Sequence, residues 1–269
     1  MTSGLTLRMN SVCRKTNGRS VIIAMDHGSI AGPMPGIEKP AHIVSACAEA
    51  GVDGILTTKG FVDASRDAWD RGTGLVLRMT GGFTVLDGKF AEEMIMSAET
   101  AVSYGAVCGA VTVKFGHERE GDFIRQASLA IDACHRYGLP VMVEAMARGT
   151  MRGAEFPAND AAAIALASRA AAELGADIIK TYYTGSPESF RKVTEGCPVP
   201  VVVLGGAKTD NVRQVFQDIF DSLQGGGKGI AVGRNIWQYD NLPGMLEAVM
   251  GLVHHDWSVD QACDLIDEK

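Results

Sequence analysis

One lysine lies inside the apolar, β-branched run Asp177-Ile178-Ile179-Lys180-Thr181-Tyr182-Tyr183. Side chains alternate along a strand, so Lys180 shares a face with Ile178 and Tyr182, and an unpaired ammonium there is expensive. Either this lysine is salt-bridged or snorkelling, or its amine is a nucleophile. An ordinary lysine, with a pKa of about 10.4, is almost wholly protonated at pH 7, and burial lowers that value toward the range a Schiff-base enzyme needs. A second charged group follows an apolar run at Ala24-Met25-Asp26-His27-Gly28. Asp26 is either a cap for the next segment, with His27 bonding the loop, or a carboxylate able to move a proton or orient a substrate hydroxyl.

Two glycine-bearing turns, Leu204-Gly205-Gly206-Ala207-Lys208 and Val232-Gly233-Arg234-Asn235, free backbone N–H groups beside a cation. That is the composition of a phosphate cradle, with Gly205, Gly206, Lys208, Gly233 and Arg234 as contacts and His27 facing the same substrate. Lys59, Arg78, Lys114, His117, Glu144 and Arg148 are the other polar residues at strand ends. Of these, Lys114 and Glu144 form either a structural ion pair or a proton-transfer pair. His254 and His255 read as surface residues, and the methionines within 93–96 as core. No metal site is expected, because the six cysteines include no CxxC and the histidines do not cluster in ligand spacing.

The elements that must position these residues are eight short strands: Ser20–Met25, Gly54–Thr58, Leu75–Met79, Ala106–Lys114, Pro140–Ala145, Asp177–Tyr182, Val199–Leu204 and Gly229–Val232. Helical stretches separate them at Pro40–Ala50, Phe90–Tyr104, Asp122–Tyr137, Asp160–Leu174, Asn211–Leu223 and Met245–Val253, several ending in a glycine such as Gly51, Gly105, Gly138 or Gly175. Strands without polar alternation point to a parallel sheet covered on both faces. Eight βα units in 269 residues predict an α/β fold, a single (β/α)8 TIM barrel over 1–269 with residues 1–18 as an N-terminal extension. Chemistry on that fold belongs at the C-terminal strand ends, where Lys180, Asp26 and both glycine turns fall. A net charge of −7 disfavours nucleic acid as a partner, and no run approaches the roughly 18 apolar residues of a membrane span. A cytoplasmic protein with free thiols is expected.

Four strings in order, Met25-Asp26-His27-Gly28, Ala176-Asp177-Ile178-Ile179-Lys180-Thr181, Gly205-Gly206-Ala207-Lys208 and Gly233-Arg234-Asn235-Ile236-Trp237-Gln238, resemble the DeoC/FbaB/LacD group of class I aldolases. The resemblance runs from near the first strand to the C-terminus. It implies that Lys180 is the Schiff-base lysine, Asp26 the first-strand carboxylate, and Gly205, Gly206, Gly233 and Arg234 the phosphate contacts. By the same resemblance, the expected cofactor requirement is none beyond the covalent imine, the expected partner is a small sugar phosphate, and the expected assembly is a homo-oligomer, commonly a decamer. The implied reaction makes or breaks a C–C bond of a phosphorylated ketose of the dihydroxyacetone phosphate or fructose 1,6-bisphosphate type.

Three branches of the group look similar: the archaeal-type fructose-bisphosphate aldolase, a heptulosonate synthase, and the autoinducer-2 thiolase of a phosphorylated pentanedione. Where the first two carry Tyr-Pro-Arg-Gly, this chain has Met146-Ala147-Arg148-Gly149, so their acid/base tyrosine is missing. Tyr182-Tyr183, Gly196-Cys197-Pro198-Val199-Pro200 and His254-His255 look like the thiolase, which uses coenzyme A. Met25-Asp26-His27-Gly28 and Lys59-Gly60 look like the synthase, which joins a ketose phosphate to aspartate semialdehyde. With no tyrosine at 146, Asp26 is expected to take the proton, helped by Glu144, Lys114 or Tyr182.

Overall fold

The computed structural model describes residues 3–70, 72–88, 91–147, 150–151, 154–155 and 157–267. Eight parallel strands form a closed barrel: β1 (Ser20–Ala24), β2 (Gly54–Thr57), β3 (Gly74–Arg78), β4 (Cys108–Phe115), β5 (Val141–Ala147), β6 (Ile178–Thr181), β7 (Val201–Val203) and β8 (Gly229–Val232). Each strand pairs with its neighbours in sequence, and β1 closes against β8 through Ser20 and Gly229 to Ile23 and Val232. Every one of the expected strands is present, with ends shifted by no more than two residues. The glycines that end the helices turn the chain back toward the sheet: Gly51 and Gly138 adopt φ of 68° and 62°, a region a side chain disfavours.

The period of two divides the apolar side chains into two cores. Outside the barrel, Val21, Ile23, Ile55, Leu77, Val143 and Ile179 pack beneath helices that contribute Phe123, Phe190 and Phe216. Inside it, Ile22, Ala24, Leu56, Val76, Cys108, Ala110, Met142, Ile178, Val202 and Ala231 form a separate cluster. Two residues further along the same inward face stand Asp26, Arg78, Thr112, Glu144 and Lys180, all lining a cavity or bonded within it. The lumen is therefore apolar at one end and ionised at the other.

The apolar end of the lumen is closed by the helix Ser3–Val12, which lies within the residues 1–18 expected to form an N-terminal extension. Val12 joins the inner cluster with Met9 and Cys13 against it, and the Ser20 hydroxyl donates to the Val12 carbonyl at 2.6 Å. On the same side His254, expected at the surface, is buried. Its side chain is 1% exposed, with Nε2 2.7 Å from Asp53 Oδ2 and Nδ1 3.2 Å from Asn17. It ends the helix Leu242–His254, and the adjacent His255 is exposed.

The expected helix over 90–104 is shorter. Thr80–Gly81 pairs antiparallel with Glu93–Met94, and a helix covers only Ala98–Ser103, started by Ser97, whose hydroxyl accepts from Thr100 N–H. Phe90 lies outside the described residues. Met94 and Met96 pack against the outer core. The helices Lys59–Ala64, Pro187–Gly196 and Val259–Asp267 were not foreseen. No described helix is long and apolar enough to cross a membrane.

Candidate active site

A cavity of about 550 Å³ opens at the C-terminal ends of the strands, lined by Asp26, His27, Arg78, Lys114, Glu144 and Lys180 among others. Lys180 lies in β6 directly opposite Glu144 in β5 and Val202 in β7. Its Nζ is 2.7 Å from Glu144 Oε1, and the side chain is 6% exposed. The other Glu144 oxygen receives Arg78 Nη2 at 2.8 Å and the Thr112 hydroxyl at 2.9 Å. Arg78 also donates to Thr112, and its Nε lies 2.6 Å from Asp26 Oδ2. The result is an alternating row, Asp26, Arg78, Glu144, Lys180, in which each charge has an opposite neighbour.

Burial alone would raise the Glu144 and Asp26 carboxyls, but nearby cations overcome it. Lys180 and Arg78 hold Glu144 far below the ordinary glutamate range. Arg78, Lys180 and His27 likewise hold Asp26 below an ordinary aspartate. Both are therefore ionised at neutral pH, and both are weak bases. Burial lowers His27, with Lys180 and Arg234 adding to the effect, so its imidazole is neutral near pH 7. His27 Nδ1 is 3.6 Å from Asp26 Oδ1, and the ring meets Trp237 edge-on at 5.6 Å. Trp237 is anchored in turn by its Nε1 donating to the Ala24 carbonyl at 2.9 Å.

The two glycine turns meet at the rim. Arg234 Nη2 donates to the Gly206 carbonyl at 2.9 Å, while its buried Nε has no protein partner. Asn235 ties the turns together, donating to Gly205 O at 2.7 Å and Ala207 O at 3.1 Å and accepting from Thr209 N–H at 2.9 Å. A Cβ on Gly233 would fall 2.6 Å from Ala24 O and 2.7 Å from His27 Cε1, so the close approach of this turn to β1 requires glycine.

Of the residues singled out from sequence, Lys180, Asp26, Glu144, Lys114, Tyr182, His27, Gly205, Gly206, Gly233 and Arg234 all line this cavity. Lys208 does not: it is exposed, with Nζ 3.6 Å from Asp210. The anticipated Lys114–Glu144 pair does not form either. Glu144 faces Lys180 and Arg78, and the carboxylate beside Lys114 is Glu92, at 3.8 Å. Lys59 is exposed, His117 lines the cavity, and Arg148 and Gly149 lie outside the described residues.

Sequence reasoning left Arg78 out of the site, though its place in Leu75-Val76-Leu77-Arg78-Met79 carries the same signal as Lys180. Thr112 and Glu92 were missed altogether. Among the described residues, no group of three or more His, Cys, Asp and Glu side chains could hold a metal ion.

Residues 20–239 match the sequence model of the DeoC/LacD family aldolase. The chain is 31% identical over 264 residues to the 3-hydroxy-5-phosphonooxypentane-2,4-dione thiolase of Escherichia coli K12, covering 97% of this chain and 86% of that protein. Among solved structures, an archaeal fructose 1,6-bisphosphate aldolase superposes with a TM-score of 0.83 at 30% identity, over 93% of this chain and 99% of the other. An archaeal fructose-1,6-bisphosphate aldolase with its catalytic Lys covalently bound to the carbinolamine intermediate gives 0.82 at 29% identity, over 93% and 99%. With a family match across the barrel and relatives aligned over nearly the whole chain, the protein belongs to the DeoC/LacD family of aldolases.

Proposed function

We propose that this protein is a class I, metal-independent carbon–carbon lyase or synthase for a phosphorylated ketose, with Lys180 as the nucleophile. The observation that carries the proposal is the buried Lys180 ammonium, 2.7 Å from Glu144, in a cavity whose rim holds Arg234 and two glycine turns. The amine must lose a proton before it attacks the ketone. Glu144, in hydrogen-bond contact but too weak a base to keep that proton, stays as the fixed counter-charge while the proton passes to the carbinolamine hydroxyl that leaves as water. Addition gives a carbinolamine, and loss of water gives an iminium that carries the same positive charge as the ammonium. The Glu144 ion pair thus survives the change, while the iminium draws the electron pair of the adjacent C–C bond.

Arg78 keeps Glu144 and Asp26 ionised and in place. The Asp26 Oδ1 atom, turned toward His27, orients a substrate hydroxyl. Gly205, Gly206, Gly233 and Arg234 hold the phosphate, fixing the carbonyl relative to the amine. Tyr182 lines the same cavity and completes its wall. The six free thiols and the family resemblance support a cytoplasmic homo-oligomer.

A second reading rests on Met146, which lines the cavity where the aldolase branch has its tyrosine, and on the thiolase similarity. In it, coenzyme A is the acceptor for an acyl group cleaved from a phosphorylated pentanedione. Product analysis separates the two. Triose phosphates released from fructose 1,6-bisphosphate support the lyase, whereas acyl-coenzyme A formed from the diketone, with fructose 1,6-bisphosphate inert, supports the thiolase. A Lys180→Ala variant that folds and retains full turnover refutes both.

A further inference from the structure

Among the described residues three carboxylates line the cavity, Asp26, Glu92 and Glu144, and they are not equivalent. Asp26 and Glu144 are each in close ionic contact with Arg78, and Glu144 also with Lys180. Glu92 is held more loosely: Lys114 Nζ lies 3.8 Å from Oε1, Arg78 acts on it from beyond ion-pair distance, and its side chain is 7% exposed. That ammonium also lies 4.5 Å from the Phe83 ring centroid. The register sets Lys114 opposite Met146, so Glu92 stands over the β4 and β5 ends, at the mouth.

The segment bearing it is pinned. Met94 N–H donates to Gln126 Oε1 at 2.8 Å, Glu93 pairs with Arg119 at 2.7 Å, and Glu93–Met94 is bonded to Thr80–Gly81. Glu92 is therefore held in one place by the elements that follow it.

We propose that Glu92 is the general acid–base of the carbon–carbon step, an assignment that rests on Lys180 forming the iminium. In cleavage, the Glu92 carboxylate takes the proton of the hydroxyl on the departing carbon as that carbon becomes a carbonyl. The electron pair of the broken C–C bond passes to the iminium, giving a neutral enamine. The Glu92 acid then returns the proton to the enamine carbon, and water hydrolyses the regenerated iminium, freeing ketone phosphate and restoring the Lys180 ammonium. Synthesis runs the same steps backward.

The charges around each group agree with this division. Burial raises the Glu92 carboxyl above an ordinary glutamate, and Glu144 adds to the rise, against Arg78, Lys114 and a hydrogen bond with Thr80. Groups that must gain and lose a proton work best when their pKa approaches the working pH, while neighbours pushed the other way serve as fixed charges. Besides those groups, the ionisable His117 lines the same cavity.

The test uses dihydroxyacetone phosphate, because forming its enamine exchanges a carbon-bound hydrogen with solvent without any acceptor aldehyde. Exchange in D2O and borohydride trapping at Lys180 are measured for the unsubstituted protein, Glu92→Gln and Glu92→Asp. The expected result is trapping in all three, with exchange falling about 100-fold or more in Glu92→Gln. The lower limb of the exchange pH profile should vanish in that variant and return in part with Glu92→Asp. Exchange in Glu92→Gln within a few-fold of the parent and with an unchanged profile overturns the assignment. So does loss of trapping in Glu92→Gln and Glu92→Asp alone, which marks Glu92 as structural. No trapping in the unsubstituted protein removes the Schiff-base reading itself, and the assignment with it.

Discussion

Lys180 and Glu144 are register partners on adjacent strands, and one Glu144 oxygen contacts the lysine while the other contacts Arg78. A single carboxylate thus contacts two buried cations, Lys180 and Arg78. Removing it would leave two buried positive charges 5% and 9% exposed as residues, Lys180 and Arg78, with Asp26 as the remaining anion of the row.

Glu144→Ala is accordingly predicted to lose stability by about 3–5 kcal/mol, the range for breaking a buried pair by deleting one partner. Urea denaturation checks this, and a loss near zero would show that the row is water-accessible and screened.

The low Asp26 and Glu144 pKa values set the direction of the pH response. A carboxyl whose folded pKa lies below its unfolded value stabilises the fold above that unfolded value, about 4 for Asp and Glu, and the contribution is lost as pH falls. Melting temperatures should therefore fall progressively as pH drops below about 5, from roughly the unfolded carboxyl range downward. Glu144→Gln, which keeps the shape but not the charge, should show a shallower fall. Parallel profiles in the two proteins would contradict the linkage.

Arg234 and Lys208 flank the same glycine turns but differ in direction. Arg234 lines the cavity with an unpaired buried Nε, and Lys208 lies beside Asp210 at the surface. Arg234→Ala is expected to raise KM by about 10-fold or more, consistent with loss of one charge-assisted bond of about 1.5–3 kcal/mol. Lys208→Ala should leave KM within about two-fold, since an exposed pair contributes little. Steady-state kinetics on both variants decide it, and equal effects would move the phosphate site.

Gly233→Ala places a Cβ against the Ala24 carbonyl and the His27 ring. The turn must shift, at a cost of about 1–3 kcal/mol typical of overpacking. The expected signature is a lower melting temperature together with a raised KM, because the turn proposed to hold the phosphate abuts His27. A stability loss with unchanged KM would separate them.

Much of this arrangement can be read from residue order, for a physical reason. Parallel strands covered on both faces are nearly all apolar, so Lys180 in Ile178-Ile179-Lys180-Thr181 and Asp26 after Ser20–Ala24 stand out. Arg78 stands out in the same way, but its role depends on two carboxylates 52 and 66 residues away along the chain. Glu92 carries no periodic signal, because it precedes a two-residue strand whose partner is Thr80–Gly81. Lys208 shows the opposite limit: being next to two glycines says nothing about which way its side chain turns. His254 lies at a helix end, where polarity suggests solvent, and only the tertiary approach of Asp53 and Asn17 buries it.

The most direct test of the central claim is intact-mass spectrometry after borohydride treatment with dihydroxyacetone phosphate, fructose 1,6-bisphosphate or a phosphorylated pentanedione, followed by peptide mapping. The account predicts a covalent adduct with at least one of these ligands, confined to the peptide carrying Lys180 and absent from Lys180→Ala. No adduct with any of them, or an adduct that persists on another lysine in Lys180→Ala, would contradict it.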